Sequence, residues 1–184
     1  MMDPEITTEQ LRQEVITVDR VSRVVAGGRR FRFRALVVVG DGQGGIGVGV
    51  AKAGEVSAAV DKAAARAKRD QIKFPLTASG TLPHTSQARF AGAEVLLKPA
   101  GPGTGVIAGG AVRQVLEVAG VRDVLSKAFG SANKLNNCYA TLAALTQLKA
   151  LPVRTKSDSA SEQTGTKSRS TVQSKPAKTS KGQR

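Results

Sequence analysis

Alternating apolar and polar residues predict three β-strands in close succession in the first third of the chain. The first is expected over 15–26, with a bulge or bend where the apolar phase changes between Val18 and Val21. The second is expected over 30–39 and the third over 46–51. A period of two separates the side chains of the second strand: Arg30, Arg32 and Arg34 on one face, Phe31, Phe33 and Ala35 on the other. The phenylalanines are therefore expected in the core rather than as platforms for stacked bases.

A helix is expected next, over residues 55–70, because apolar residues recur there at helical spacing. The stripe expected to face the sheet consists of Val56, Ala59, Val60, Ala63 and Ala67. Lys62, Arg66 and Arg69 share another face, since they are spaced by four and then three residues. The first unit is therefore predicted to be βββα.

A second unit is predicted after a stretch at 71–92 that is rich in Thr, Ser, Gly and Pro, with one short strand at 72–74. Its strands and helices are expected in the order βαβα, at 93–98, 111–119, 121–128 and 133–150. Gly120 and Ser131 are placed to cap the first helix at its end and the last helix at its start. Leu135, Cys138, Leu142 and Leu145 are expected to form the buried stripe of the last helix.

The pattern as a whole predicts an α+β protein with two small domains. The expected organisation is a flexible segment at 1–14, a βββα domain at 15–75, a βαβα-type domain at 76–151 and a tail at 152–184. The tail is basic and has almost no apolar residues. It cannot bury enough surface to offset its ordering entropy, so we expect it to be disordered.

Charge adds a class of partner to this picture. The formal net charge is +14 and the isoelectric point is near 10.6. Residues 21–70 alone carry ten basic and four acidic side chains, so the excess is not confined to the tail. A basic folded region favours a polyanion partner over the alternative, a charge that serves only solubility.

Several other kinds of site are not supported. Cys138 and His84 are the only residues of their types, so no disulfide, zinc site or other metal site is expected, and a reducing, cytoplasmic setting is favoured. Cys138 is expected in the core, and His84 has no evident catalytic partner. No apolar run is long enough to cross a membrane, and the first residues resemble neither a secretory signal nor a transit peptide. No cofactor is expected.

The strongest binding candidate is the basic stretch from Arg20 to Arg69. Arginine donates paired hydrogen bonds to phosphate, and glycine lets a backbone approach a sugar-phosphate chain closely. Gly27-Gly28 is expected to form the turn of the first hairpin, and the alternative is a solvated hairpin that happens to be basic. The residues expected to bind the phosphates of this polyanion are Arg20, Val21, Ser22, Arg23, Gly27, Gly28, Arg29, Arg30, Arg32, Lys52, Arg66 and Arg69.

Two further glycine-rich segments are candidates for phosphate binding. Gly47-x-Gly49 is reminiscent of a dinucleotide-binding fingerprint but lacks the βαβ context. Lys52, expected at a helix start, is the better candidate for phosphate binding. The alternative is that Lys52 is merely exposed. The loop at 99–110 is the best site for an enzyme, a nucleotide-dependent small-molecule kinase. However, no acid, histidine or serine–lysine set is apparent near it. The alternative is a packed loop that is tight because neighbouring backbone comes close.

These motifs, in this order, resemble the family of the fifth protein of the bacterial small ribosomal subunit, over about residues 13 to 150. The matching stretches are 20–25 with 27–29, 35–42, 52–53 with 55–56, 103–113, and 115–117 with 119–121. The resemblance implies a double-stranded-RNA-binding-like first domain and a second domain of a type shared with some small-molecule kinases but not enzymatic here. It implies binding to small-subunit ribosomal RNA, contact with the fourth and eighth small-subunit proteins, and a place at the messenger RNA entry channel.

The resemblance also implies roles for particular residues. The loop with Val21, Ser22, Ala26, Gly27 and Gly28 is expected to lie near the spectinomycin site. Gly103, Gly105 and Arg113 are expected at the interface with the fourth protein, in a region tied to decoding accuracy. Three positions depart from the family pattern: Ala26 replaces a usual lysine, Ala51 a usual glycine and Lys134 a common proline. The tail has no counterpart that we recognise.

Overall fold

The structure, a computed structural model, describes residues 11–149. Its first half is a four-stranded antiparallel sheet in the order β1-β2-β3-β4, with one helix. These elements are β1 Arg12–Val25, β2 Gly28–Gly40, β3 Gly45–Ala53, α1 Val56–Arg69 and β4 Ile72–Lys73. The βββα prediction is confirmed here, and α1 matches its predicted bounds to within one residue at each end.

The second half is a four-stranded mixed sheet in the order β5-β6-β8-β7, in which β7 runs parallel to β8. Its elements are β5 Ser86–Phe90, β6 Ala93–Pro99, β7 Val106–Ile107, α2 Gly110–Val118, β8 Val124–Phe129 and α3 Lys134–Thr146. The α+β class is confirmed. Two strands were missed, β5 and the short β7. In β5 the buried positions are Ser86 and Ala88, so its sequence shows no apolar alternation.

The first hairpin differs in detail from its prediction. The strand β1 begins at Arg12, because Arg12, Gln13 and Glu14 pair with the end of β2; this part of the segment predicted to be flexible is therefore ordered. The irregularity lies between Val15 and Thr17, nearer the start of the strand than predicted. The two-residue turn is Ala26-Gly27, and β2 begins with the second glycine, at a φ of +128°.

Both faces of the first sheet are buried, each against a different partner. On one face, Ala35, Val37 and Val39 pack against the alanines of α1. On the other, Leu36 and Val38 belong to the same hydrophobic core as α2, α3 and the second sheet. Burial on both faces explains why residues 35–39 form an unbroken apolar run instead of alternating. The second half therefore has a core that is continuous with the first sheet.

The contact between α1 and β3 depends on small residues. Methyl groups added to Gly47 and Gly49 would overlap the carbonyl oxygens of Ala67 and Ala63, respectively. The helix faces the sheet with four buried alanines, Ala59, Ala63, Ala64 and Ala67. The prediction that Val56 faces the sheet is wrong, since this residue lies in the first turn and is 43% exposed.

Of the two predicted helix caps, the one at the end of α2 is confirmed and the one at the start of α3 is corrected. Gly120 follows α2 with a φ of +87° and donates to the Glu117 carbonyl, as expected of a left-handed cap. The cap of α3 is Asn133, whose side chain accepts from Leu135 N, while Ser131, two residues before the cap, accepts from Asn133 N. The helix α3 ends at Thr146, before the predicted residue 150.

The buried stripe of α3 was only partly predicted. Cys138 and Leu145 are buried as expected, but Leu135 and Leu142 are only partly buried. Thr141 is fully buried and donates to the Asn137 carbonyl, which satisfies its hydroxyl within the helix. Burial raises the pKa of the Cys138 thiol to about 12, so this thiol is a core group. No helix within residues 11–149 is long and apolar enough to span a membrane.

The expectations for residues 1–10 and for the tail at 152–184 lie outside the described residues.

Candidate nucleic-acid interface

A two-stranded ribbon extends from the first sheet. The strand β3 pairs with β2 only from Phe33 onward, whereas β1 and β2 remain paired back to Val25 and Gly28. Residues 20–32, here called the ribbon, therefore reach beyond the third strand and are exposed for most of their length. The strand pairing of β1 and β2 holds this segment in one conformation.

The pairing register assigns the ribbon side chains to two faces, because residues opposite each other in antiparallel strands point to the same side. One face, here called the arginine face, carries Arg23 opposite Arg30 and Arg32 opposite Val21. Lys52 continues this face, since it lies opposite Arg34 on β3. These side chains line one shallow groove together with Ser22 and Val25. The other face carries Arg20, Arg29 and Phe31.

The ribbon arginines are not neutralised by carboxylates within residues 11–149. The ion pairs there are Arg34–Asp19 at 2.7 Å, Arg66–Asp70 at 3.7 Å and Arg113–Glu117 at 3.4 Å. Arg34 also lowers the pKa of Asp19 by donating hydrogen bonds to its carboxylate. Asp19, the acid that immediately precedes the ribbon, is thus matched by an arginine outside the predicted phosphate-binding set. The positive charge of the ribbon remains available to an anion.

A second basic groove lies along the open edge of β3. Beyond its pairing with β4 at Gly45 and Ile46, this edge is flanked by α1. Lys62, Arg66 and Arg69 share one side of α1, as predicted, and line the groove together with Lys52. Arg66 is 63% exposed in its pair with Asp70, and such surface pairs contribute little, so its guanidinium can exchange this partner for a phosphate.

Lys52 connects the two grooves, although not in the way that was predicted. It lies within β3, four residues before the first residue of α1, and not at the amide groups of a helix start. It lines both the ribbon groove and the α1 groove. The structure therefore brings Lys52 and five of the predicted phosphate-binding arginines into two adjoining grooves on the first half of the protein, namely Arg23, Arg30, Arg32, Arg66 and Arg69. The other two, Arg20 and Arg29, lie on the opposite face of the ribbon and line neither groove.

Two side chains from outside the loop between β6 and α2 hold its backbone by hydrogen bonds. Asp123 accepts a hydrogen bond from Gly105 N at 2.8 Å, and Arg113 donates to the Val106 carbonyl at 2.8 Å. The prediction that no acid lies near this loop is wrong. Asp123 follows the loop by 13 residues and is 8% exposed. No local sequence signal identifies it. A carboxylate at this position disfavours a bound phosphate.

The glycines of this loop are not there for close packing. A methyl group added at 101, 103, 105, 109 or 110 would meet nothing within 4 Å. The alternative of a tightly packed loop was therefore wrong. Gly103 and Gly105 have φ values of +86° and +74°, which L side chains rarely adopt, and this backbone conformation is what the loop requires.

Comparison with known proteins decides the family. Residues 11–75 match the model of the N-terminal domain of ribosomal protein S5, and residues 88–155 match that of its C-terminal domain. The chain belongs to the ribosomal protein S5 family. Small ribosomal subunit protein uS5 of Acaryochloris marina is 51% identical over 137 residues, 74% of this chain and 77% of that protein. The uS5 protein of Thermus thermophilus is also 51% identical, over 146 residues, 79% of this chain and 86% of that protein.

A third relative supports the same assignment. The uS5 protein of Treponema pallidum is 51% identical over 140 residues, 76% of this chain and 81% of that protein. The matches run across both halves of the fold, so the whole described part of the chain belongs to the S5 architecture. The resemblance that the motifs suggested is confirmed.

The three residues assigned to a protein interface by the S5 resemblance lie close together. Gly105 immediately precedes the short strand β7 and donates to Asp123, and Arg113 donates to the Val106 carbonyl of that strand. Gly103 lies two residues before Gly105 in the same exposed loop. Two apolar side chains that lie opposite each other in adjacent strands, Ile107 and Leu125, are 53% and 40% exposed beside them.

His84 has a structural position that sequence reasoning missed. Its Nε2 accepts from Lys149 N at 3.0 Å, so Nδ1 carries the proton and donates to the Thr85 carbonyl at 2.9 Å. The ring thus links the segment that follows α3 to the segment that precedes β5 by hydrogen bonds. In the described range of 11–149, no three His, Cys, Asp or Glu side chains are grouped to hold a metal ion.

Proposed function

We propose that this protein is a structural component of the small ribosomal subunit and binds its ribosomal RNA through the two adjoining basic grooves. Membership of the S5 family supports the ribosomal role. The observation that carries the binding mode is the ribbon, on which exposed arginines occur without carboxylate partners inside the described chain. Neutralising phosphates releases condensed counterions, which is the main source of affinity for nucleic acid.

The binding mode follows from the spacing and rigidity of the charges. The paired ribbon strands hold Arg23, Arg30 and Arg32 on one face, so the backbone that carries them is already ordered before RNA binds. The α1 groove adds Lys62, Arg66 and Arg69 on a rigid helix. Such an arrangement reads the shape of folded RNA through its phosphates and 2′-hydroxyls rather than through base edges. Gly27 and Gly28 leave open space at the ribbon tip, which allows a backbone to come close.

The proposal extends to the neighbours of the protein. The exposed apolar pair Ile107 and Leu125, beside Gly103, Gly105 and Arg113, is suited to a protein surface, and we assign the contact with the fourth small-subunit protein to it. Contact with the eighth protein, a place at the messenger RNA entry channel and proximity of the ribbon tip to the spectinomycin site follow from the S5 resemblance. The expected location is the cytoplasm, within the small subunit.

An enzymatic role forms no part of this proposal. The S5 family match gives the nucleotide-dependent kinase no support. The loop at 99–110 contains no basic residue, and its nearest carboxylate, Asp123, already accepts a hydrogen bond from the loop backbone. We propose that this loop is a scaffold for the protein-facing surface.

Sedimentation tests the ribosomal role directly. A tagged full-length chain, produced in bacteria, is followed through sucrose gradients at a magnesium concentration that separates the subunits. We expect it to migrate with small subunits in stoichiometric amount. Replacing Arg23, Arg30 and Arg32 with Gln should move it to the top of the gradient, while a control that removes two exposed charges from the second half, Lys98→Gln with Lys127→Gln, should leave it on the subunit. Wild-type protein that never reaches the small subunit would refute the proposal.

A further inference from the structure

The face of the ribbon opposite the arginine face carries an aromatic side chain that was predicted to be buried. Phe31 was expected to be buried together with Phe33, but it is 48% exposed, because the third strand and α1 do not reach this part of the ribbon. Phe33, at the point where β3 begins to pair, packs partly against the α1 core. Val24 lies on the same face as Phe31 and is 72% exposed. This face is thus both apolar and open.

Arg20 lies over the Phe31 ring. Its guanidinium carbon is 3.8 Å from the ring centroid, and the two residues are diagonal neighbours across the β1–β2 ladder. The guanidinium is held by the attraction between its charge and the negative face of the ring. Because Arg20 is itself exposed, the opposite face of this planar group is accessible. The pair forms a flat, positively charged stack on a rigid ribbon.

We propose that the Arg20–Phe31 pair is a stacking site for an unpaired RNA base, distinct from the phosphate contacts of the arginine face. Bases that are splayed out of a helix stack on aromatic rings and on guanidinium planes. This pair offers both groups in one preformed stack. The inference rests on the proposed function, because it requires that the ribbon bind RNA, and it adds that one face of the ribbon contacts a base.

Two features favour a base over a phosphate as the occupant of this site. A phosphate uses only the N–H donors in the plane of the guanidinium, whereas a base can also cover the face of that group. A base would cover the apolar side chains of Phe31 and Val24 and remove them from water, which stabilises the complex. A phosphate would leave them exposed. Stacking is tolerant of base identity, so no sequence preference is expected.

The test uses the full-length protein and two single-stranded probes with the same number of phosphates. One is an oligoadenylate, and the other is a strand of abasic residues that offers phosphates without bases. Phe31→Leu removes the ring but keeps an apolar side chain, and Arg20→Lys keeps the charge but removes the flat guanidinium. We expect each variant to bind oligoadenylate about tenfold more weakly than wild type and the abasic strand about equally well.

Fluorescence adds a direct readout, since 2-aminopurine in the strand should be quenched by wild-type protein and much less by Phe31→Leu. Phe31→Trp should retain both affinity and quenching. Equal losses on the two probes, or no loss on either, would overturn the stacking site. In that case a salt-dependent affinity of the wild type for the abasic strand would leave the phosphate-binding proposal standing. Absence of binding to both probes would overturn the stacking site alone, because the proposed function requires binding to folded small-subunit RNA, which the sedimentation experiment tests separately.

Discussion

The glycines of β3 and those of the loop before α2 show that the same residue type can serve opposite purposes. Both segments, taken as sequence, were candidates for a phosphate cradle. In β3 the space beside Gly47 and Gly49 is filled by the α1 backbone. In the loop the space beside Gly103 and Gly105 is open, and the positive φ values explain the glycines. We propose that anions bind instead at the ribbon and the α1 groove, where cationic side chains are exposed.

The largest effect is expected in β3. Gly49→Ala would place a methyl group on the Ala63 carbonyl and within 2.7 Å of Ala67 N, so α1 must move away from the sheet. Overpacking of this kind should lower the free energy of unfolding by about 3 kcal/mol. Chemical denaturation measures it. Gly54→Ala is the matched control, because a methyl there meets nothing within 4 Å; similar stability for the two variants would contradict the packing role.

An intermediate effect is expected where Asp123 holds the loop. Asp123→Ala leaves the amide of Gly105 without its acceptor and should cost about 2 kcal/mol of unfolding free energy. Asp123→Asn keeps an acceptor oxygen at the same place and should cost clearly less. The pair is compared by thermal or chemical unfolding. If both variants are equally stable, the hydrogen bond does not organise the loop.

A smaller effect is expected within the loop itself. Gly105→Ala forces an alanine to a φ of +74°, but its methyl group would lie in open space. The unfolding free energy should therefore fall only by the backbone strain, about 1 kcal/mol. Gly109→Ala, at a φ of −66° that alanine adopts without strain, should not lower the unfolding free energy and should raise it by up to about 1 kcal/mol. A large loss at Gly109 would show that the loop is packed after all and would remove the contrast with β3.

No effect of nucleotide is expected to depend on the loop at 99–110. Any rise in the midpoint of thermal unfolding with millimolar ATP and magnesium should be retained in Asp123→Ala, because the loop contains no basic residue and anions are expected to bind in the ribbon and α1 grooves instead. Differential scanning fluorimetry of the full-length protein measures this. A saturable rise that is abolished by Asp123→Ala would reinstate the loop as a nucleotide site.

How far the sequence predicts this fold depends on whether a pattern is local. The βββα order, the bounds of α1 and the left-handed Gly120 cap each follow from neighbouring residues and are confirmed. Strand β5 was missed because its buried residues are Ser86 and Ala88, whose burial depends on α3 rather than on their own hydropathy.

The candidate site shows the same limit. The exposed arginines and the α1 side with Arg66 and Arg69 were predictable from alternation and helical spacing. The exposure of Phe31 was not, because the period of two assigns a face to each residue but does not say where β3 and α1 stop covering it. Asp123 was not predictable either, since its contact with Gly105 joins residues 18 apart in sequence.

The salt dependence of binding to small-subunit ribosomal RNA tests the central claim most directly. For the wild-type protein, log affinity should fall steeply and linearly with log salt concentration. The triple variant Arg23→Gln, Arg30→Gln, Arg32→Gln should show a slope that is shallower by about 2 to 3, one unit for each phosphate contact removed. Lys98→Gln with Lys127→Gln should keep the wild-type slope. A flat wild-type dependence, or a triple variant with an unchanged slope, would contradict the assignment of the ribbon as a phosphate-binding surface.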